Sequence, residues 1–177
     1  MRLERTASML CVVDVQERLV PAMADGETVV ARCRRLVEGA RLLGVPTVVT
    51  EQYRKGLGPT VPALADVLPP PLEKLSFSCC GGEGFAAAIP PAAGQVVLCG
   101  LETHVCVAQT ALDLLADGYA VFLAVDAITS RHALDRDVAL RRLEASGAVP
   151  TTTEAILFEW CRTAAHPAFQ AVRTLVL

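Results

Sequence analysis

The chain has 177 residues, and since about 100–200 residues usually make one domain, two independent catalytic domains are excluded. Apolar residues make up 53% and charged residues 20%, which provides for a sizeable core and leaves too few charges for a disordered chain. Sixteen basic residues against nineteen acidic ones give a net charge of −3 with no basic run, so nucleic acid is not the expected partner.

At the start, Arg2, Glu4 and Arg5 are followed by only Ala7–Val13 before Asp14, too short and wrongly flanked a stretch for a secretory signal. Met9–Val13 is a continuous apolar run, the pattern of a strand buried on both faces of a parallel sheet. Thr28–Leu43 places Val29, Val30, Cys33, Leu36, Val37, Ala40 and Leu43 at three- and four-residue steps, which predicts a helix stopped by Gly44. Pro46–Thr50 predicts a second strand. Tyr53–Pro71, rich in proline and glycine, is the longest irregular region, a lid or an oligomer contact. Gly84–Leu101 carries no charge and has the length of a membrane span, but Pro90-Pro91 and Gly94 divide it into a short helix and a strand, Gln95–Gly100. Further helices are predicted over His104–Asp117 and Leu134–Ala145, each followed by glycine, and further strands over Ala120–Val125 and Ala148–Thr151. Alternating strands and helices predict a three-layer α/β/α sandwich around a mostly parallel sheet, with residues 1–177 as one domain.

Seven cysteines, an odd number without an export signal, speak against a disulfide framework and for a reducing cytoplasm. The adjacent pair Cys79-Cys80 reads as loop packing, because a bridged vicinal pair is strained. No Cys-x-x-Cys occurs and the three histidines are far apart, so neither a structural metal nor another cofactor is expected.

Open parallel sheets place their sites beyond the carboxyl ends of the strands, which directs attention to Asp14, Lys74 and the segment after Gly100. With Thr103 as N-cap, Cys106 falls at the third helical position, where free backbone N–H groups and the helix dipole lower a thiol's pKa and offer an oxyanion hole. The alternative is a buried structural cysteine. Asp14 ends an apolar strand, as a cap or as a base facing a pocket. Lys74 is one of only two lysines, with Lys55, among sixteen basic residues, so an ammonium rather than a guanidinium has been kept there. It either holds Asp14 or pairs with Glu73 at the surface. His104 lies two residues before Cys106, a spacing that puts the two on different sides of a helix. Gln16, Gln52, Tyr53, Leu57, Phe77, Thr103 and Val105 would line a mostly apolar pocket suited to a small neutral amide or ester, with Arg54 and Lys55 at its edge.

Val13-Asp14-Val15-Gln16, Thr50-Glu51-Gln52-Tyr53, Glu73-Lys74 before Ser76-Phe77, Gly100-Leu-Glu-Thr-His-Val-Cys-Val107, Asp126-Ala127 and Thr152-Thr153-Glu154 together resemble the isochorismatase-like cysteine hydrolases. The resemblance spans Leu10 to Leu177 and looks closest to the branch of YcaC-like hydrolases and isochorismatase-domain-containing proteins. It implies a Rossmann-like sandwich, a homo-oligomer and an Asp14, Lys74, Cys106 triad acting on a small molecule through a thioester. It also implies a cis peptide between Leu101 and Glu102 that turns the Glu102 N–H toward the same oxyanion as that of Cys106. Metal-dependent nicotinamidases of this family use histidine ligands between the second and third strands, and Glu51–Glu73 contains none. Isochorismatases proper need no thiol, so Cys106 favours the amidase-like or ester-like branch. Asp-centred hydrolysis without a covalent step, or a catalytically idle oligomer, are the rival readings. The apolar final segment Phe169–Leu177 is a second reason to expect self-association.

Overall fold

The run after Ala7 forms a strand because both of its faces are covered. In the computed structural model, which describes residues 1–177, β1 (Ser8–Val13) is buried throughout. Leu10 and Val12 join one apolar cluster, while Met9, Cys11 and Val13 join another on the opposite face. Each such side chain removed from water contributes about 1.5–3 kcal/mol, which is why this strand carries no polar alternation.

The chain continues through α1 (Gly26–Leu43), β2 (Thr47–Gln52), the short helices α2 (Arg54–Leu57) and α3 (Pro62–Ala65), β3 (Leu72–Lys74) and α4 (Phe85–Ala88). It ends with β4 (Gln95–Leu101), α5 (Ala108–Ala116), β5 (Ala120–Thr129), α6 (Ala133–Ala145), β6 (Val149–Thr151), α7 (Thr153–Cys161) and α8 (Phe169–Val176). The strands form one sheet in the order β3-β2-β1-β4-β5-β6, with every neighbouring pair parallel. Helices α1, α7 and α8 pack on one face and α4, α5 and α6 on the other, giving the three layers expected of this alternation. No helix is long and apolar enough to cross a membrane.

Gly44 stops α1 in the left-handed conformation at φ 70°. Gly100 has a different task. It sits in β4 beside Val13 with φ 114°, and a Cβ there would lie 2.0 Å from the Val13 carbonyl oxygen. Glycine lets the two central strands stay in contact where both turn toward their carboxyl ends.

Several expectations need correction. The irregular region Tyr53–Pro71 contains α2 and α3, each a single turn, and leads directly into β3. That three-residue edge strand, Leu-Glu-Lys, has no apolar run to announce it and exists through its pairing with Thr50–Gln52. Helix α1 starts at Gly26, two residues before the predicted start, and Asp25 ahead of it accepts from Thr129 Oγ1 at 2.6 Å instead of capping. The final segment is α8, which buries Val172 against the core and packs Phe169 and Val176 beside it, so most of its apolar side chains are covered and only Leu177 at its end is strongly exposed. Large apolar side chains are exposed elsewhere, at Tyr53, Leu75, Phe77, Leu134 and Val138.

Candidate active site

The order of the sheet reverses between β1 and β4, and ligand crevices of doubly wound sheets open at such a switch point. Asp14 follows β1 immediately and adopts a left-handed backbone conformation, φ 52°, which aspartate tolerates better than most residues. Lys74 is the last residue of β3. From opposite sides of β2 the two meet, with Lys74 Nζ donating to Asp14 Oδ2 at 2.7 Å, and both side chains are almost wholly buried.

Lys74 Nζ also donates to Gln52 Oε1 at 2.8 Å, to the Phe77 carbonyl at 2.9 Å and to the Ser76 carbonyl at 3.2 Å. Three protons thus serve four acceptors. Burial opposes the charge on Lys74, but the carboxylate of Asp14 and then Cys106 outweigh it and hold the ammonium above its ordinary pKa. The surface pairing of Lys74 with Glu73 is not formed.

Cys106 adjoins this pair. Burial first, and then the charge of Asp14, push its thiol well above the ordinary range, while Lys74 pulls it down by less. This direction is opposite to the lowered thiol pKa expected from the sequence, because burial beside a carboxylate disfavours the thiolate. The expected cap is absent as well. Thr103–Val107 forms a π-helical turn preceded by Glu102, so Cys106 occupies its fourth position, and Thr103 Oγ1 is buried without a partner. The Glu102 carbonyl accepts from both Val105 N–H at 3.1 Å and Val107 N–H at 3.2 Å, and Thr110 Oγ1 donates to the Cys106 carbonyl at 2.6 Å. The Leu101–Glu102 peptide that enters this turn is cis.

Glu102 is anchored through its side chain, whose Oε2 accepts from Arg131 N at 3.0 Å and Nε at 3.1 Å. His104 Nδ1 meets Ser130 Oγ at 2.9 Å, so its ring is engaged with the loop after β5 and makes no hydrogen bond to Cys106. The same loop thereby holds the Cys106 turn at two points.

Of the residues expected to line a pocket, Gln16 does not. It is fully buried, its Nε2 donating to the carbonyls of Gln52 and Gly58 and its Oε1 accepting from Gln52 N–H, so it braces the loop that carries α2. Gln52 positions Lys74 through Oε1 and fastens Leu75 O through Nε2 at 2.8 Å. Thr103 is fully buried, and Val105 packs against the core of the α5 face. Tyr53 and Phe77 are about half exposed, at 52% and 53%, and Leu57 is half-buried. A cleft of about 480 Å³ bordered by Tyr53, Arg54, Lys55, Lys74, Leu75 and Glu83 reaches Lys74 but neither Asp14 nor Cys106. No three or more His, Cys, Asp or Glu side chains gather as a metal site, and all seven cysteines are unbridged.

Sequence reasoning missed Thr50, Cys79, Thr110 and Ser130 as neighbours of the site. Only Thr50 stood inside a quoted motif, and nothing in the spacing of the others points to Asp14 or Cys106.

A doubly wound parallel sheet that gathers a carboxylate, an ammonium and a thiol beyond its central strands has the plan of an α/β enzyme. Residues 8–155 match the isochorismatase domain, and the chain belongs to that family of hydrolases. Isochorismatase domain-containing protein 2 of Bos taurus is 44% identical over 170 residues, covering 96% of this chain and 83% of its own length. The solved MAR1 ribonuclease of Caenorhabditis elegans superposes with a TM-score of 0.91 at 39% identity, covering 99% of this chain and 92% of that one. YcaC of Escherichia coli, described as an octameric hydrolase of unknown specificity, superposes with a TM-score of 0.85 at 25% identity, covering 99% and 95%.

Proposed function

We propose that the protein is a cysteine-dependent hydrolase of a small amide, carbamate or ester. The observation that carries this reading is the buried Asp14–Lys74 ion pair set beside the Cys106 thiol. Asp14 takes the thiol proton as the sulfur attacks the carbonyl carbon, and the backbone N–H groups of Glu102 and Cys106 receive the oxyanion. Collapse of the tetrahedral intermediate expels the amine or alcohol, which carries away the proton from Asp14. Water, deprotonated by Asp14, then attacks the thioester, and the departing sulfur recovers its proton. A protonated resting thiol fits this sequence, because the base is adjacent and attack and deprotonation occur together.

A screen of amides, carbamates and esters tests the reading, with Cys106→Ser run beside the parent. Turnover by the parent that is lost in the variant is the expected result. RNA belongs in the same panel because the C. elegans relative is named a ribonuclease. RNA cleavage lost in Cys106→Ser, with every small substrate inert, would move the substrate class to nucleic acid.

Turnover is further expected to survive EDTA within about twofold, a change too small to represent loss of a water-activating metal. The reason is the donor set: Glu51–Glu73 holds no histidine, and no ligand cluster forms elsewhere. Chelator-sensitive turnover restored by zinc would overturn this expectation.

We also propose a homo-oligomer in a reducing compartment, the cytoplasm. Seven free thiols and the exposed Leu75, Phe77, Leu134 and Val138 support it, as does the octameric state described for the E. coli relative. Light scattering at micromolar concentration is expected to give a multiple of the chain mass, and a monomer of 18.8 kDa would overturn it.

A further inference from the structure

Asp14 is held from two sides, and Lys74 occupies only one. Its other oxygen, Oδ1, accepts the hydroxyl proton of Thr50 at 2.7 Å. A hydroxyl has one proton, so with it committed to the carboxylate Thr50 Oγ1 is left to accept from a third neighbour. That neighbour is the fully buried Cys79, whose sulfur lies 3.5 Å away. Cys11 is equally buried, and its thiol is pushed up by Cys79 beside it and by burial. The hydrogen bonds therefore run from Cys79 through Thr50 to Asp14. Thr50 itself is locked in the sheet opposite Val13 and Leu72. The backbone N–H of Cys79 donates to Thr110 Oγ1 at 2.9 Å, and the same hydroxyl donates to the Cys106 carbonyl, so one residue ties the base to the nucleophile's turn.

We propose that Thr50 is a positioning residue for Asp14, its hydroxyl aimed by the Cys79 thiol so that the carboxylate stays in the orientation that takes the Cys106 proton. This rests on the cysteine-hydrolase reading. A donor at Oδ1 fixes how the carboxylate faces the thiol. Without Thr50, Oδ1 is buried with no donor, and the carboxylate turns within its pocket.

Iodoacetamide is the probe, with labelling of each cysteine followed by peptide mass mapping across a pH series. In the parent, Asp14-assisted labelling of Cys106 is expected to be level on the neutral side of an acid limb, and Asp14→Asn is expected to replace that level region with a rise that follows hydroxide. The isosteric Thr50→Val is expected to move the acid limb upward by about one pH unit and to lower the level rate about tenfold. Thr50→Ser restores both. A role in packing alone would change the melting temperature and leave the limb in place. If Thr50→Val does not fold, Thr50→Ala is read in the same way against Thr50→Ser. A limb unmoved by the loss of the hydroxyl, or moved as far by serine, overturns the proposal while the base reading stands. Parent-like labelling in Asp14→Asn overturns both.

Discussion

Asp14→Asn is expected to lower kcat/KM by about 10²–10⁴-fold, the range a positioned general base supplies. The amide keeps the shape of the carboxylate and keeps an acceptor for Lys74 or Thr50, so circular dichroism should report an unchanged fold. Cys106→Ala should leave only background turnover. The double variant should be no slower than Cys106→Ala, since groups that act in one step lose their effects together. The pH dependence separates the roles. Burial and the neighbouring carboxylate hold the Cys106 thiol above its ordinary range, so the thiolate fraction is small at neutrality and grows as pH rises. Residual activity in Asp14→Asn should accordingly climb with pH, whereas the parent, with its base in place, should not need alkaline conditions. Full activity in Cys106→Ala would instead favour Asp-centred hydrolysis without a covalent step.

Lys74→Met is expected to destabilise the protein by about 3–5 kcal/mol, the cost of stranding one member of a buried ion pair. For a chain of this size that lowers the melting temperature by roughly 6–20 °C. The loss is large because Asp14 and Lys74 are both buried and their oxygen and nitrogen stand 2.7 Å apart. Removing the ammonium also strands Gln52 Oε1 and the carbonyls of Ser76 and Phe77. Lys74→Arg should not rescue it, because a planar guanidinium cannot replace a point donor reaching four converging acceptors. Combining Lys74→Met with Asp14→Asn should recover part of the loss. Strict additivity of the two effects in thermal denaturation would show that the pair is not coupled.

The layered architecture was legible because five of the six strands read as short apolar runs, and because α1 and α5 keep strict helical spacing with glycine at their ends. β3 was not legible, since a three-residue edge strand owes its existence to a neighbour rather than to its own composition. The elements that carry Asp14 and Cys106 could be placed beyond strand ends from sequence, because parallel sheets concentrate chemistry there, whereas Lys74 stood out through the scarcity of lysine. The state of the thiol could not. It depends on how completely Cys106 is dried and how close Asp14 comes, and neither is written in the local spacing. Gln16 shows the same limit, as an amide two residues after Asp14 reads as a ligand contact until its partners turn out to be the backbone of Gln52 and Gly58. Thr50 is the converse, a residue that looked like strand interior and proved to donate to Asp14.

The pairing of Asp14 with Lys74 makes the reacting centre electroneutral throughout the proposed cycle. At rest one anion, one cation and a thiol sum to zero, and passing the proton from sulfur to carboxylate only relocates the negative charge. Once the acyl group sits on sulfur and the proton has left with the amine or alcohol, the carboxylate is charged again and the sum is still zero. No counter-ion has to follow the reaction into the interior, so ionic strength should leave the chemical step unchanged while it screens encounters at the surface. A neutral acyl group preserves this balance. An anionic one would bring an uncompensated charge into a dry site whose only ammonium already has every N–H engaged in hydrogen bonds.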